Sequence, residues 1–557
     1  MSRFSAGVLA FAALAAGLPQ SFGGGGGSSS GAPIVDLFST VHRGALDANS
    51  TYYSFDNIPY AEPPVGLFRF RQPLPKLTIN RTVNDGSVTK ICPQANPAWF
   101  GISVPFMIET ITGQPLPPPT GPPPGPPPPD PRVSEDCLYL DIKTPKGVFD
   151  ASPKLKKLPV LVWIHGGGFA GGSKSDINPA GLISKGFENG KPGFVYIGIN
   201  YRLGLFGFPP RGPFDFDVAT NAGLLDQRFA LNWIKDNIDK FGGDPDKVTV
   251  FGESAGASSI AAQLAAYGGN NGVAPFERAI LQSPAIRPAT DAAVYAEVWQ
   301  KFKTAANVLS MAHARLLSTT QLQALNAQVA GSASFAHFNF GPNVDGFFFP
   351  DDLARSLARG KVDKTVEVIV GYNGWEGLLF TDPRVQDNTA FKALFQDLMP
   401  STSAAKINQL ATTVYPEDFS GAQPYTTQSQ RLTLALGEGL VNCNAFATHL
   451  GYGNQTRAYL YDLFPAIHAA DVGYSFYNTG AVDSFSGMPL DPTVAAFWQG
   501  WITDFAVSGS QAGSTATLLP KYTSAGKTLK VRTGGNVLGD DPARNARCRF
   551  WVDGLYA

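Results

Sequence analysis

From about residue 158 onward the chain alternates two patterns. LPVLVWIHG (158–166), FVYIGINYR (194–202), KVTVFGES (247–254) and VEVIVGYN (366–373) are short apolar runs rich in β-branched residues, each closing on a turn former or a polar residue. Runs without polar alternation predict strands covered on both faces. Between them lie helical stretches such as GLLDQRFALNWIKDNIDKF (223–241). Helices alternating with buried strands predict an α/β fold with a mainly parallel central sheet and helices on both faces. No repeat of fixed period runs through the chain, so solenoids and propellers are not expected.

Three segments stand outside this pattern. MSRFSAGVLAFAALAAGLPQ (1–20) places one Arg before a short apolar run and then small residues, the form of a secretory signal peptide. The run is shorter than the ~20 apolar residues of a spanning helix, and no other segment is long and apolar enough to be one. Residues 21–32, which hold GGGGGSSSG, predict a flexible leader, with folding starting at Pro33. In residues 115–131, twelve of the seventeen residues are Pro, which predicts an extended polyproline II stretch. It lies between Cys92 and Cys137 and is read as part of a surface loop in one catalytic domain spanning 33–557.

Composition narrows the partners. The 557 residues carry 43 Lys plus Arg against 44 Asp plus Glu, a net charge of −1, with no basic run to follow a nucleic-acid backbone. Hydrophobic residues at 44% and aromatics at 12% suffice for a large core and an apolar pocket. The four cysteines, Cys92, Cys137, Cys443 and Cys548, show no metal-ligand spacing, so no metal is expected. Two disulfides in a secreted, extracellular protein are the economical reading, with three pairings open. Asn49, Asn80 and Asn454 head N-x-S/T triplets and are candidate glycan acceptors.

The strongest chemical signal is KVTVFGESAGASSIAAQLAAYG, where a β-branched strand meets Gly252-Glu253-Ser254-Ala255-Gly256 and then an Ala-rich helix. This is a nucleophile elbow in strand–turn–helix context, with glycines two before and two after the Ser to let strand and helix approach. Acyl transfer also needs donors aimed at the oxyanion. His165-Gly166-Gly167-Gly168-Phe169 follows a buried strand, so the amides of Gly167 and Gly168, completed by that of Ala255, are the expected donors. Neither GxGxxG nor GxxxxGK[ST] is present there, which disfavours a phosphate loop.

With a Ser on such an elbow, the acid and then the His follow it along the chain. Of the six histidines, His42 and His165 precede the Ser or sit in the glycine turn, and His449 falls in a helical segment. His468 follows the strand-like TRAYLYDLF in a loop and is the expected base; His313, His337 and His449 are read as ordinary surface or partly buried residues. Glu376, after VEVIVGYN, is the favoured acid. Asp345 and Asp382 are rivals, each readable as a plain turn residue.

Together, IPYAEPPVGLFRFRQP, SEDCLYLD, VWIHGGGF, NYRLGLFGF, GYNGWEG, HAADVGYSF and the elbow segment resemble the type-B carboxylesterase/lipase family of α/β-hydrolases, to which the cholinesterases belong. The resemblance covers roughly residues 33–557. It implies a serine carboxylic ester hydrolase working through Ser254, Glu376 and His468 and an acyl-enzyme, with Gly167, Gly168 and Ala255 as oxyanion donors. It implies no cofactor. It also implies the pairs Cys92–Cys137 and Cys443–Cys548, and structural ion pairs Arg69–Glu135 and Arg202–Asp226. Glu253 and Asp471 become candidate supporting groups around the triad, or merely local caps.

Where cholinesterases carry a Trp near the far end of the first disulfide loop this chain has proline, and Trp99 lies near Cys92 instead, which disfavours a choline-ester specialist. Residues 98–111 (AWFGISVPFMIETI) are apolar enough to be a lid or to touch lipid transiently, or else to pack beneath the loop. The expected partner is a small-molecule or lipid ester. Alternatives are a lipase on long-chain glycerides, an acyltransferase, and a non-catalytic adhesion or binding protein of the same fold.

Overall fold

The structure is a computed structural model that describes residues 32–115, 130–151, 157–270, 272–288, 292–509 and 515–556. The signal-peptide reading, nearly all of the leader and residues 116–129 of the polyproline stretch lie outside the described residues. An eleven-stranded sheet organises the rest. Its strands in chain order are β1 (Ala45–Leu46), β2 (Tyr52–Pro59), β3 (Tyr139–Pro145), β4 (Leu158–Ile164), β5 (Val195–Ile199), β6 (Gly243–Glu253), β7 (Arg278–Gln282), β8 (Glu367–Asn373), β9 (Arg457–Asp462), β10 (Lys527–Arg532) and β11 (Val537–Asp540). They lie side by side as β11-β10-β9-β8-β7-β6-β4-β5-β3-β2-β1. From β10 to β5 the neighbours run parallel, and antiparallel strands close both edges. Ile34–Asp36, Thr40–Arg43 and Asn80–Asn84 form a separate three-stranded sheet.

Central strands read as apolar runs because both faces are covered. Every residue of β4 and β5 is buried. Glu253, Gln282, Gly371 and Tyr459 stand in register across β6 to β9, so they share one face, as does Phe251 two residues before Glu253. Helix α5 (Pro492–Ser508) packs there, with the rings of Trp498 and Trp501 4.9 and 5.7 Å from Tyr459. On the other face, at Gly252, crosses α3 (Ala255–Ala265), an Ala-rich and wholly buried helix. Two further helices matter below: α1 (Phe100–Thr112), with Met107 and Ile111 buried, and α4 (Gln428–Gly437). A fifth, α2 (Ala222–Asn237), turns Leu224, Leu231 and Ile234 to the core. It ends in a 3₁₀ turn closed by Gly242 at φ 84°, a left-handed position suited to glycine.

Disulfides join Cys92 to Cys137 and Cys443 to Cys548. Arg69 meets Glu135 with two bonds of 2.7 and 2.6 Å, and Arg202 meets Asp226 with two of 2.7 Å. Both pairs are buried, so each holds the architecture only while complete. Asn49 and Asn80 are exposed and Asn454 is half-buried.

Candidate active site

The loops after β4, β6, β7, β8 and β9 leave from the same edge of the sheet, because parallel strands end on one side. Ser254 stands between β6 and α3 at φ 56° and ψ −122°. A non-glycine residue there stores about 1–3 kcal/mol of strain, which its surroundings must hold. They do so: Ser254 N–H donates to Gln282 O at 3.0 Å, and Ser254 O accepts from Ser258 N at 2.8 Å and Ser258 Oγ at 2.9 Å. The flanking glycines are required by space. A Cβ on Gly252 would lie 2.6 Å from Ile164 O, and one on Gly256 would lie 2.1 Å from the same oxygen.

The turn after β4 passes directly over Ser254. A Cβ on Gly166 would lie 3.2 Å from Ser254 Cβ, and one on Gly168 would enter the Phe338 ring at 2.2 Å. Gly167 and Gly168 take φ of 103° and 62°. Their amides have no protein acceptor among the described residues. The Ala255 amide heads α3, where helix donors are unsatisfied and the helix dipole is positive.

His468 and Glu376 come to this place from two neighbouring strands. Ser254 Oγ donates to His468 Nε2 at 2.8 Å, and His468 Nδ1–H donates to Glu376 Oε2 at 2.5 Å, the tautomer being the one this network requires. Glu376 opens a 3₁₀ turn after β8 that packs on α4, and its Oε1 accepts from Asn373 N at 2.5 Å. Asn373 Nδ2 donates to Ile467 O at 2.8 Å, and Trp375 N to Ala466 O at 2.7 Å. The acid's loop and the histidine's loop are thereby laced together, a device that sequence reasoning missed; the GYN ending of β8 was its visible trace.

Two more acids face the histidine. Glu253 Oε1 lies 3.4 Å from His468 Nε2, buried and without a hydrogen-bond partner. Asp471 Oδ2 accepts from Gln282 Nε2 at 3.0 Å and Tyr459 Oη at 2.9 Å. Burial raises the Glu253 carboxyl to about 8, opposed by His468 and reinforced by Asp471 and Glu376. Burial likewise raises Asp471 to about 6, with Glu376 adding to it. Burial alone would lower His468; Glu253 and then Glu376 overcome it and raise the imidazole to about 9. The group is one coupled set in which few charges coexist.

The rival acids do other work. Asp345 accepts from Asn221 Nδ2 and from the amides of Phe347 and Phe349, and Asp382 holds Arg384 in a local turn. Of the other histidines, His313 is exposed. His337 and His449 are fully buried, not surface or partly buried as their sequence context suggested. His449 bonds the nearby Thr456 at 2.5 Å and stacks on Tyr522 at 3.7 Å, a contact from a distant segment that its own helix does not announce.

A cavity of about 620 Å³ opens on Ser254 and His468, lined largely by apolar side chains including Phe100, Phe338, Phe349, Leu379 and Phe380. The Phe380 ring meets the His468 ring at 5.3 Å. Trp99 is buried behind it, 4.5 Å from Phe100 and 6.2 Å from Phe380, with Nε1 donating to His337 O at 2.8 Å. Trp99 therefore backs the cavity wall through Phe100 and does not itself line the cavity. Among the described residues no cluster of His, Cys, Asp and Glu has the form of a metal site, and no helix is long and apolar enough to cross a membrane.

An eleven-stranded, mainly parallel sheet with a Ser elbow at its strand ends is an α/β-hydrolase. The carboxylesterase family model matches residues 40–551. The chain belongs to that family and is a carboxylic ester hydrolase. It is 36% identical over 537 residues to carboxylesterase patB of Aspergillus clavatus, covering 93% of this chain and 95% of that one. It is 32% identical to secreted lipase 1 of Botryotinia fuckeliana, over 73% of this chain and 72% of that one. The solved structure of Aspergillus niger EstA superposes with a TM-score of 0.76 at 22% identity, over 94% of this chain and 99% of that one, a likeness of fold.

Proposed function

We propose that the protein is a secreted serine esterase acting through Ser254, His468 and Glu376. The observation that carries this is the unbroken Ser254–His468–Glu376 chain, at 2.8 and 2.5 Å, with a glycine turn beside the serine and a largely apolar cavity opening on it. His468 takes the proton of Ser254 as Oγ bonds to the ester carbonyl carbon. The carbonyl oxygen gains the negative charge beside the amides of Gly167, Gly168 and Ala255. Collapse expels the alcohol, which receives the proton from His468 and leaves an acyl-enzyme. Water, giving its proton to His468, then attacks the acyl carbon; the bond to Ser254 Oγ breaks, Oγ regains the proton from His468 and the acid is released. Residues 33–557 act as one catalytic domain in this reading.

Substituting Ser254→Ala is expected to lower kcat on a p-nitrophenyl ester by at least about 10⁴-fold while circular dichroism stays unchanged. Wild-type turnover by that variant would remove Ser254 from the mechanism. Secretion is supported by the two disulfides and by a secreted relative. Its test is recovery from the medium of a chain shortened near residue 20.

A second reading, an interfacial lipase, has support in α1. Phe100 at its start lines the cavity, while Ile102, Val104, Phe106 and Ile108 are only half-buried. Rates on p-nitrophenyl esters from acetate to palmitate, with and without detergent, decide it. A jump above the aggregation threshold that is abolished by shortening residues 98–131 favours the lipase; its absence leaves the esterase.

A further inference from the structure

Among the described residues one arginine and no lysine lines the apolar cavity. Arg287 lies on the segment leaving the end of β7 and lines the same space as Ser254 and His468. It is fixed from two sides. Just before it, Ala285 O accepts from Ser258 Oγ of α3 at 2.8 Å, which ties the segment to the helix headed by the nucleophile. Beyond it, Arg287 Nη1 meets His337 Nδ1 at 3.4 Å, and the adjacent Phe338 is the ring that covers Gly168.

Among the described residues no acid lies within ion-pair distance of this charge, and the Arg287 Nε is buried without a hydrogen bond. The other acids on the cavity wall are matched elsewhere. Asp176 accepts from Ser173 N and Oγ, both at 2.6 Å; Asp351 faces Arg355, Arg359 and Lys361 at 3.7, 3.4 and 3.7 Å; Glu253 faces His468. His337 supplies no counter-charge either. Burial and then Arg287 itself push its imidazole down to about 3, so it is neutral in ordinary buffers. A guanidinium partly withdrawn from water without a partner is costly, and a planar carboxylate is its best complement.

We propose that Arg287 receives a carboxylate carried by the substrate. The preferred ester then bears a free carboxylate, either on its acyl part, as in the half-ester of a dicarboxylic acid, or on its alcohol part, as in an acylated hydroxy acid. The aromatic wall takes the hydrocarbon between ester and anion, and Arg287 sets the orientation. This inference rests on the Ser254 hydrolase reading and names its substrate class.

The test compares kcat/KM within two isosteric pairs. Mono-p-nitrophenyl glutarate is set against its neutral glutaramate counterpart, and 4-acetoxybenzoate against 4-acetoxybenzamide. Rates are corrected with Ser254→Ala protein, since a free carboxylate can attack its own ester. The wild type is expected to favour the anionic member of at least one pair by about tenfold or more, and the pair that responds identifies the side. Arg287→Met brings that ratio to about one, and Arg287→Lys retains part of it. Arg287→Gln, which keeps a donor toward His337, replaces Met should that variant not fold. A wild type that favours the neutral member of both pairs overturns the proposal, as does a preference that survives Arg287→Met and Arg287→Gln. Failure of the hydrolase reading looks different: Ser254→Ala would then turn over both members of a pair at the wild-type rate.

Discussion

Replacing Gly256 by alanine places a methyl group where the structure has no room. Its carbon would lie 2.1 Å from Ile164 O and 3.0 Å from His165 O. Relief of that overlap requires α3 and the end of β4 to separate by about 1 Å. Neither side gives easily. Ile164 is paired to Ile199 on one side and Gly252 on the other, and α3 is buried along its whole length. The displacement falls on the geometry that matters, because Ser254 heads α3 and the glycine turn continues from Ile164. A misplacement of that size costs about 10²-fold in kcat, and overpacking at such a site costs about 1–3 kcal/mol of stability. Purified Gly256→Ala is to be assayed on p-nitrophenyl acetate and melted by circular dichroism. Gly331→Ala serves as control, since a Cβ there meets nothing within 4 Å. A Gly256→Ala protein with kcat within about threefold of wild type and an unchanged melting temperature would refute the close-approach argument.

Two further predictions follow from buried charge and covalent closure. Burial lowers His468 but Glu253 and Glu376 raise it further, so Glu253→Gln removes a raising charge, the imidazole stays neutral to lower pH, and the acidic limb of the kcat/KM profile moves down. A limb that stays or rises contradicts this role for Glu253. Replacing Cys443 and Cys548 by Ser opens a closure spanning 105 positions and is expected to cost about 4–5 kcal/mol, read from guanidinium unfolding midpoints. A loss under about 1 kcal/mol would mean that the unfolded chain is not constrained by this bridge.

What could be read from the sequence was what is local. The strands of β4, β5, β6 and β8 show as apolar runs because both faces are covered, and the elbow shows because strand, strained Ser and helix follow one another within a few residues. His468 and Glu376 were singled out differently, by chain order and by loops after strands, and the fold brings both side chains to Ser254 because parallel strands deliver their ends to one edge. The burial of His337 and His449 was missed for the converse reason: their partners, Arg287 and Tyr522, lie far away in the chain. The helix at Phe100–Thr112 was also illegible, since it contains Pro105 and its apolar residues do not form a clean stripe.

Asn373 and Arg287 define where such reasoning ends. Asn373 closes a buried strand and reads as a turn residue, yet it holds Glu376 through its backbone and the His468 loop through its side chain. Its value depends on β8 and β9 being neighbours, a fact of topology that composition and period do not contain. Arg287 reads as an ordinary charge after a strand. Only the folded chain reveals that its neighbours are a neutral histidine and apolar walls, and that among the described residues it has no ion-pair partner. The motifs shared with ester hydrolases are local in the chain, whereas the surroundings of Asn373 and Arg287 are assembled only when distant segments meet.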